Sequence, residues 1–200
     1  MTDQDRYHEL EPDEPVWERF FSVFPLVLVG TREQDGGYDL APKHLAMPVS
    51  WQNLFGFVCT PRHATYHNAR RTGEFTVSYP RPAQLLATSL AASPRCADGD
   101  KPALMALPVD PARAVDGVVV RDAQIQLECR LEKMVDDLGD NSLIIGRIVA
   151  ARVSEDAARA ADRDDNDLVN RAPLLAYLYP FRFSVIDHSE GFPVPEGFHR

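Results

Sequence analysis

Residues 123–153 constrain the fold more than any other stretch. The run AQIQLECRLEK (123–133) alternates, with Ile125, Leu127, Cys129 and Leu131 on one side and polar partners on the other. A period of two over that length belongs to a half-buried strand, because successive side chains point to opposite faces. Leu138, Gly139, Asp140 and Asn141 then turn the chain, and LIIGRIVAARV (143–153) runs back. Two strands this long in one hairpin commit the chain to an antiparallel sheet.

Shorter apolar runs supply the other strands. Residues 26–31 lie between Pro25 and an Asp35-Gly36-Gly37 turn and read as a buried strand entering a hairpin, with 38–41 returning. Residues 47–50, 54–60 and 75–79 predict further strands, and 173–179 a last one before an aromatic, Pro-rich tail. Helices are predicted from near Ala64 to Gly73 and over 83–90, and 92–102 reads as a loop. Residues 154–170, rich in Asp, Arg and Ala, read as a solvated helix or excursion. Glu14-Pro15 reads as a helix start, since Pro is tolerated at the first helical position. Trp17, Phe20, Phe21 and Phe24 follow at i, i+3, i+4 and i+7, a stripe for packing on a barrel or a partner subunit. Residues 1–13 are expected to form a flexible arm, 14–187 one domain and 188–200 a tail. Many strands, few helices and no β-α-β-α alternation predict a mainly β fold, an antiparallel barrel with short helices.

Bulk properties narrow the partners. A net charge of −9 and a pI near 5.1 argue against nucleic acid, which needs a basic face. No apolar run is long enough to span a bilayer, and the polar, acidic start does not resemble a targeting segment. A cytoplasmic location is the expectation. Cys59, Cys96 and Cys129 are odd in number and lack C-x-x-C spacing, so reduced, mostly packed thiols are expected. His63 and His67 share an i, i+4 spacing without the partners of a metal site. Walker, G-x-S-x-G and G-x-G-x-x-G motifs are missing as well.

Chemistry concentrates in residues 40–75. Thr60, Pro61, Arg62, His63, Ala64 and Thr65 form a turn that opens a helix. Free N–H groups at a helix start, hydroxyl donors and a guanidinium fork make a phosphate receptor. Taken alone, Thr before a helix is equally an ordinary cap. Arg70 and Arg71, one to two turns on, either reach the same phosphate or form a solvated helix face, and Trp51, Tyr66 and Tyr79 either neighbour a bound ring or serve in packing.

The order of parts here resembles the flavin reductase-like domain, the FMN-binding split β-barrel. In that family a loop of N-x-A-P type lines the isoalloxazine edge, and a strand ending near Ser and an apolar strand follow it. A Ser/Thr-x-Arg/Lys-x-Thr turn then leads into a helix ending T/S-G-E-F. The matching residues are Leu40-Ala41-Pro42-Lys43-His44-Leu45-Ala46-Met47, Ser50, 55–59, the Thr60 turn, and Thr72-Gly73-Glu74-Phe75. Asp98-Gly99-Asp100-Lys101-Pro102, residues 141–153 and residues 172–179 resemble later elements of the family, so the match spans most of 15–185. Two departures stand out: Trp51-Gln52-Asn53 where Pro-Pro is common, and Asp-Lys-Pro in place of Asp-Lys-Phe.

The resemblance implies that Lys43, His44, Leu45, Ala46 and Met47 line the flavin ring, largely through backbone groups. It implies that Thr60, Arg62, His63 and Thr65 hold the phosphate on a turn stiffened by Pro61, with Ser50 and Lys101 as further contacts. Lys43 and His44 would either place positive charge near flavin N1 or serve as an ordinary surface Lys and loop His. The implied activity is NAD(P)H-dependent flavin reduction, with hydride passing from nicotinamide C4 to flavin N5. A homodimer and a monooxygenase partner that receives reduced flavin are implied too. The alternatives are a non-enzymatic FMN electron carrier and a barrel that has lost flavin and serves only in interaction.

Overall fold

In the computed structural model, which describes residues 7–94, 96, 101, 104, 106–160 and 164–197, the long hairpin is the middle of a curled sheet. Its order is β3 (Tyr38–Lys43), β2 (Val27–Arg32), β6 (Glu74–Tyr79), β9 (Ile125–Leu138), β10 (Asn141–Val153), β5 (Leu54–Cys59) and β4 (Ala46–Ser50). Every neighbouring pair is antiparallel. Register shifts within the β9–β10 pair, at 141/143, 145/146 and 148/150, add the local twist and bend that bulges produce.

The two edge strands, β3 and β4, are joined by His44 and Leu45 alone. Three Cα steps reach about 10 Å, so a sheet with these two edges must roll until they nearly meet. The Val58 amide donates to Leu45 O at 2.8 Å and fastens the link to β5. Residues 43–46 are therefore the seam of a half-barrel.

Inside the curl lie Val27, Val29, Phe55, Phe57, Phe75, Val77, Cys129 and Ile144. Phe57 and Phe75 meet edge to face at 5.2 Å. Helix α1 (Ala64–Thr72) adds Tyr66 and Ala69 to this core and ends on Gly73, whose φ of +71° suits the left-handed cap. Asn68 Nδ2 donates to Thr31 Oγ1 at 3.2 Å and ties α1 to β2.

A second apolar cluster lies outside the curl, where a small hairpin of β7 (Val109–Pro111) and β8 (Val118–Val120) covers Leu28 and Leu40. Thr76 Oγ1 donates to Val118 O at 2.5 Å, and Val120 N donates to Ser78 Oγ at 3.0 Å. A separate sheet runs β1 (Ser22–Pro25), β11 (Leu174–Tyr179) and β12 (Arg182–Ile186). Further helices are α2 (Leu85–Leu90), entered through a 3-10 turn at Pro82–Gln84, and α3 (Asp165–Arg171), capped by the Asp164 carboxylate. No helix among the described residues is long and apolar enough to cross a membrane.

Two expectations are corrected, and one element was not predicted. The aromatic stripe is no helix: Val16–Glu18 is one 3-10 turn, and the chain then extends into β1. Trp17 and Phe21 stay 61% and 64% exposed, because pairing with β11 overrides the 3.6-residue pattern. Strand 173–179 is not the last, since β12 follows it after a turn at Pro180 and Phe181. The β7–β8 hairpin had no counterpart among the predicted elements. Of the Asp98–Pro102 element only Lys101 lies within the described residues, and residues 1–6 of the expected arm and Phe198 and His199 of the tail lie outside them.

Candidate functional site

On β3 the alternation of side chains puts Asp39, Ala41 and Lys43 on one face. That face forms one wall of a cavity of about 490 Å³. Arg62, His63, Ala64 and Thr65, at the amino end of α1, form a second wall, and Ala91 to Pro94 with Lys101 form a third. Lys43 and Asp39 are buried, and Lys101 Nζ pairs with Asp39 Oδ1. Among the described lining residues Lys43, Lys101 and Arg62 carry positive charge and Asp39 negative charge, a cationic excess in a chain of net −9.

That excess is felt by His63, whose pKa falls below the ordinary 6.5. Burial is the larger cause, and the Lys43 and Arg62 cations add to it. Burial likewise pushes the Cys59 thiol up, against the opposing pull of the Lys43 ammonium.

His44 points to the other side of the seam. Its ring lies 4.6 Å from Tyr177, 5.7 Å from Phe24 and 5.8 Å from Tyr179. With Leu45, Phe24, Tyr179 and Trp17 it lines an apolar slot of about 360 Å³. Burial holds the His44 pKa below 6.5, and Lys43 next door lowers it further.

This gives a pH prediction with a fixed sign. Well above pH 6.5 both histidines are neutral whether the chain is folded or not. As pH falls through 6.5 the unfolded chain takes up protons first, so stability drops with acidification. Urea midpoints should fall from pH 7.5 to pH 5.5, and His44→Gln should flatten the decline. A profile unchanged by that substitution would refute the assignment.

The structure thus sorts the sequence-predicted residues rather than gathering them all. Lys43, Arg62, His63, Thr65 and Lys101 share the cationic cavity, whereas His44 and Leu45 line the slot. Ala46 is in the barrel core, Met47 is 58% exposed on β4, and Ser50 Oγ donates to Gln52 Oε1. Thr60 and Pro61 border a neighbouring acidic depression that also contains Asp136 and Asp140. Thr60 Oγ1 accepts from Arg62 N and Nε at 3.4 Å. Arg62 stands at the rim with its side chain 75% exposed, and its Nη2 is 3.0 Å from Asp140 Oδ2. Asp39 was missed, although its place two and four residues before Ala41 and Lys43 in a strand marks it for the same face.

Solved structures share this architecture. Nitrilotriacetate monooxygenase component B from Bacillus cereus superposes with a TM-score of 0.78 at 20% identity, covering 94% of this chain and 98% of that one. Flavoredoxin from Methanosarcina acetivorans gives 0.77 at 15% identity over 96% and 97%. An FMN-binding protein from Thermus thermophilus, with bound 1-cyclohex-2-enone, gives 0.75 at 17% identity over 94% and 99%. At these identities the likeness establishes the fold. The sequence itself matches the model of the flavin reductase like domain over residues 22–179, and the chain therefore belongs to the flavin reductase-like family.

Proposed function

We propose that the protein is an FMN-binding oxidoreductase, an NAD(P)H-dependent flavin reductase. The observation that carries this reading is the cationic cavity at the amino end of α1, set in a strongly acidic chain. Its donors fit a phosphate monoester: the Lys43 and Lys101 ammonium groups, the Arg62 fork at the rim, and the first amides of a nine-residue helix. The seam carries the chain from this cavity to the slot within two residues, so a ligand lying along it would meet backbone polar groups of Lys43 to Leu45.

When bound, FMN would supply the hydride-accepting ring, and NADH or NADPH the hydride. The chain's own tasks are binding and exclusion. Lys43 would hold negative charge on the ligand, and the Phe24, Tyr179 and Trp17 rings would keep water from one side of the seam. His44, neutral near pH 7, would leave that side uncharged.

Exposed apolar side chains on both faces of the small sheet, Val23 on one and Phe183 and Val185 on the other, favour a homodimer. We place the protein in the cytoplasm and infer a monooxygenase as the recipient of reduced flavin, as the name of the Bacillus cereus relative suggests.

The visible spectrum of the purified protein tests the cofactor. A yellow protein, or one that turns yellow on FMN titration and bleaches with NADH or NADPH, is expected. A protein that stays colourless with excess FMN would sink the reading. Binding without oxidation of either donor would leave the second reading, an electron carrier, which the likeness to a flavoredoxin favours. Sedimentation at the 22.4 kDa monomer mass would remove the dimer.

A further inference from the structure

The cationic cavity contains a carboxylate that a phosphate receptor has no evident use for. Asp39 is 4% exposed and is the one acidic side chain among the described residues that line the cavity. Its partner Lys101 comes from 62 positions along the chain, on the segment after α2, and the pair is buried on both sides. An unpaired carboxylate in such a place would repel an anion and lose its own hydration. Paired, it does something else: it fixes an ammonium whose four-carbon stem would otherwise turn to water. Lys43 sits four residues on along the same face of β3. Asp39 thereby brings a second cation, from a distant segment, to the wall where Lys43 already stands.

We propose that Asp39 is a positioning residue for phosphate recognition, acting by anchoring Lys101 in the cavity wall. The inference rests on the FMN reading and adds to it a residue with the opposite charge to the ligand. Its signature is non-additivity. Lys101→Met leaves a bare buried carboxylate facing the phosphate and should be the worst variant. Asp39→Asn frees Lys101 but also removes the repulsion, so its loss is smaller. The double variant should match Asp39→Asn, because a released lysine no longer contributes.

The measurement is the dissociation constant for FMN and for riboflavin, each by flavin fluorescence, on the wild type and three variants. Riboflavin lacks the phosphate, so its affinity reports the ring site and the fold. Expected is a wild-type preference for FMN that falls at least tenfold in Lys101→Met, with riboflavin binding unchanged. The preference then recovers severalfold when Asp39→Asn is added and agrees within twofold with Asp39→Asn alone. Should Lys101→Met fail to fold, Asp39→Asn and the double variant, which bury no lone carboxylate, still carry the comparison. Losses that simply add, or an Asp39→Asn protein that binds FMN as tightly as the wild type or more so, overturn the inference alone. Equal wild-type affinities for FMN and riboflavin overturn the phosphate reading and this inference with it.

Discussion

Lys43→Met is expected to weaken FMN binding by about 3 kcal/mol, roughly a hundredfold in the dissociation constant. Lys43 is 8% exposed, on the β3 wall of the cavity that also takes in the amino end of α1. A cation that is already desolvated interacts with an anion through a poorly screening medium and leaves no water path when removed. Arg62→Ala should cost only about 1 kcal/mol, since that guanidinium is largely in solvent and already engaged with Asp140. The pair of values is the test: fluorescence titration with FMN should separate the two variants by more than tenfold, with riboflavin affinity steady. An Arg62 loss equal to or greater than the Lys43 loss would move the phosphate out to the rim, beside Thr60 and Pro61.

Gly30→Ala should destabilise the fold by about 1–3 kcal/mol, the range for forcing a methyl group into a packed interior. Gly30 lies in β2 between Leu40 and Thr76, and a Cβ there would sit 2.7 Å from Val118 O and against Thr76 Oγ1. These two atoms are the acceptor and donor of the hydrogen bond that seats the β7–β8 hairpin on the sheet. Relief of the overlap requires the hairpin to move off Leu28 and Leu40, exposing the outer apolar cluster. Gly139→Ala is the comparison, with a φ of +62° and nothing within 4 Å of an added Cβ. It should cost about 1 kcal/mol through backbone preference alone. Urea unfolding of both variants checks the order, and a Gly30 variant as stable as the Gly139 variant would mean that the hairpin yields freely.

The elements that sequence revealed are those whose signal is local. Residues 123–153 advertised β9 and β10 by period and length, and Gly73 marked the end of α1 by its left-handed conformation. The failures share the opposite property. Trp17, Phe20, Phe21 and Phe24 have perfect helical spacing, yet Ser22–Pro25 forms a strand because Tyr177 and Tyr179, some 150 residues on, pair with it. Strands β7 and β8 are three residues each, too short for any periodicity to show. For the candidate site, motif resemblance singled out Lys43, the α1 turn and Lys101, which line one cavity in the folded chain. It did not disclose that Lys43 and His44, adjacent in sequence, face separate cavities, because that follows from strand alternation at the seam. Nor did it show Asp39, whose meaning depends on a partner that only the folded chain supplies.

β3 and β4 are the two ends of a seven-strand ladder, yet they are tethered at His44 and Leu45. An outer strand ordinarily exchanges its amide hydrogens fastest, since fraying there breaks one row of bonds instead of two. A small molecule lying across residues 43–46 would suppress fraying at both ends in a single event. Deuterium uptake in β3 and β4 would then slow together on FMN addition, whereas β6 and β9 at the centre of the ladder would hardly change. Ligand occupancy would be legible as a concerted quieting of the two outermost strands.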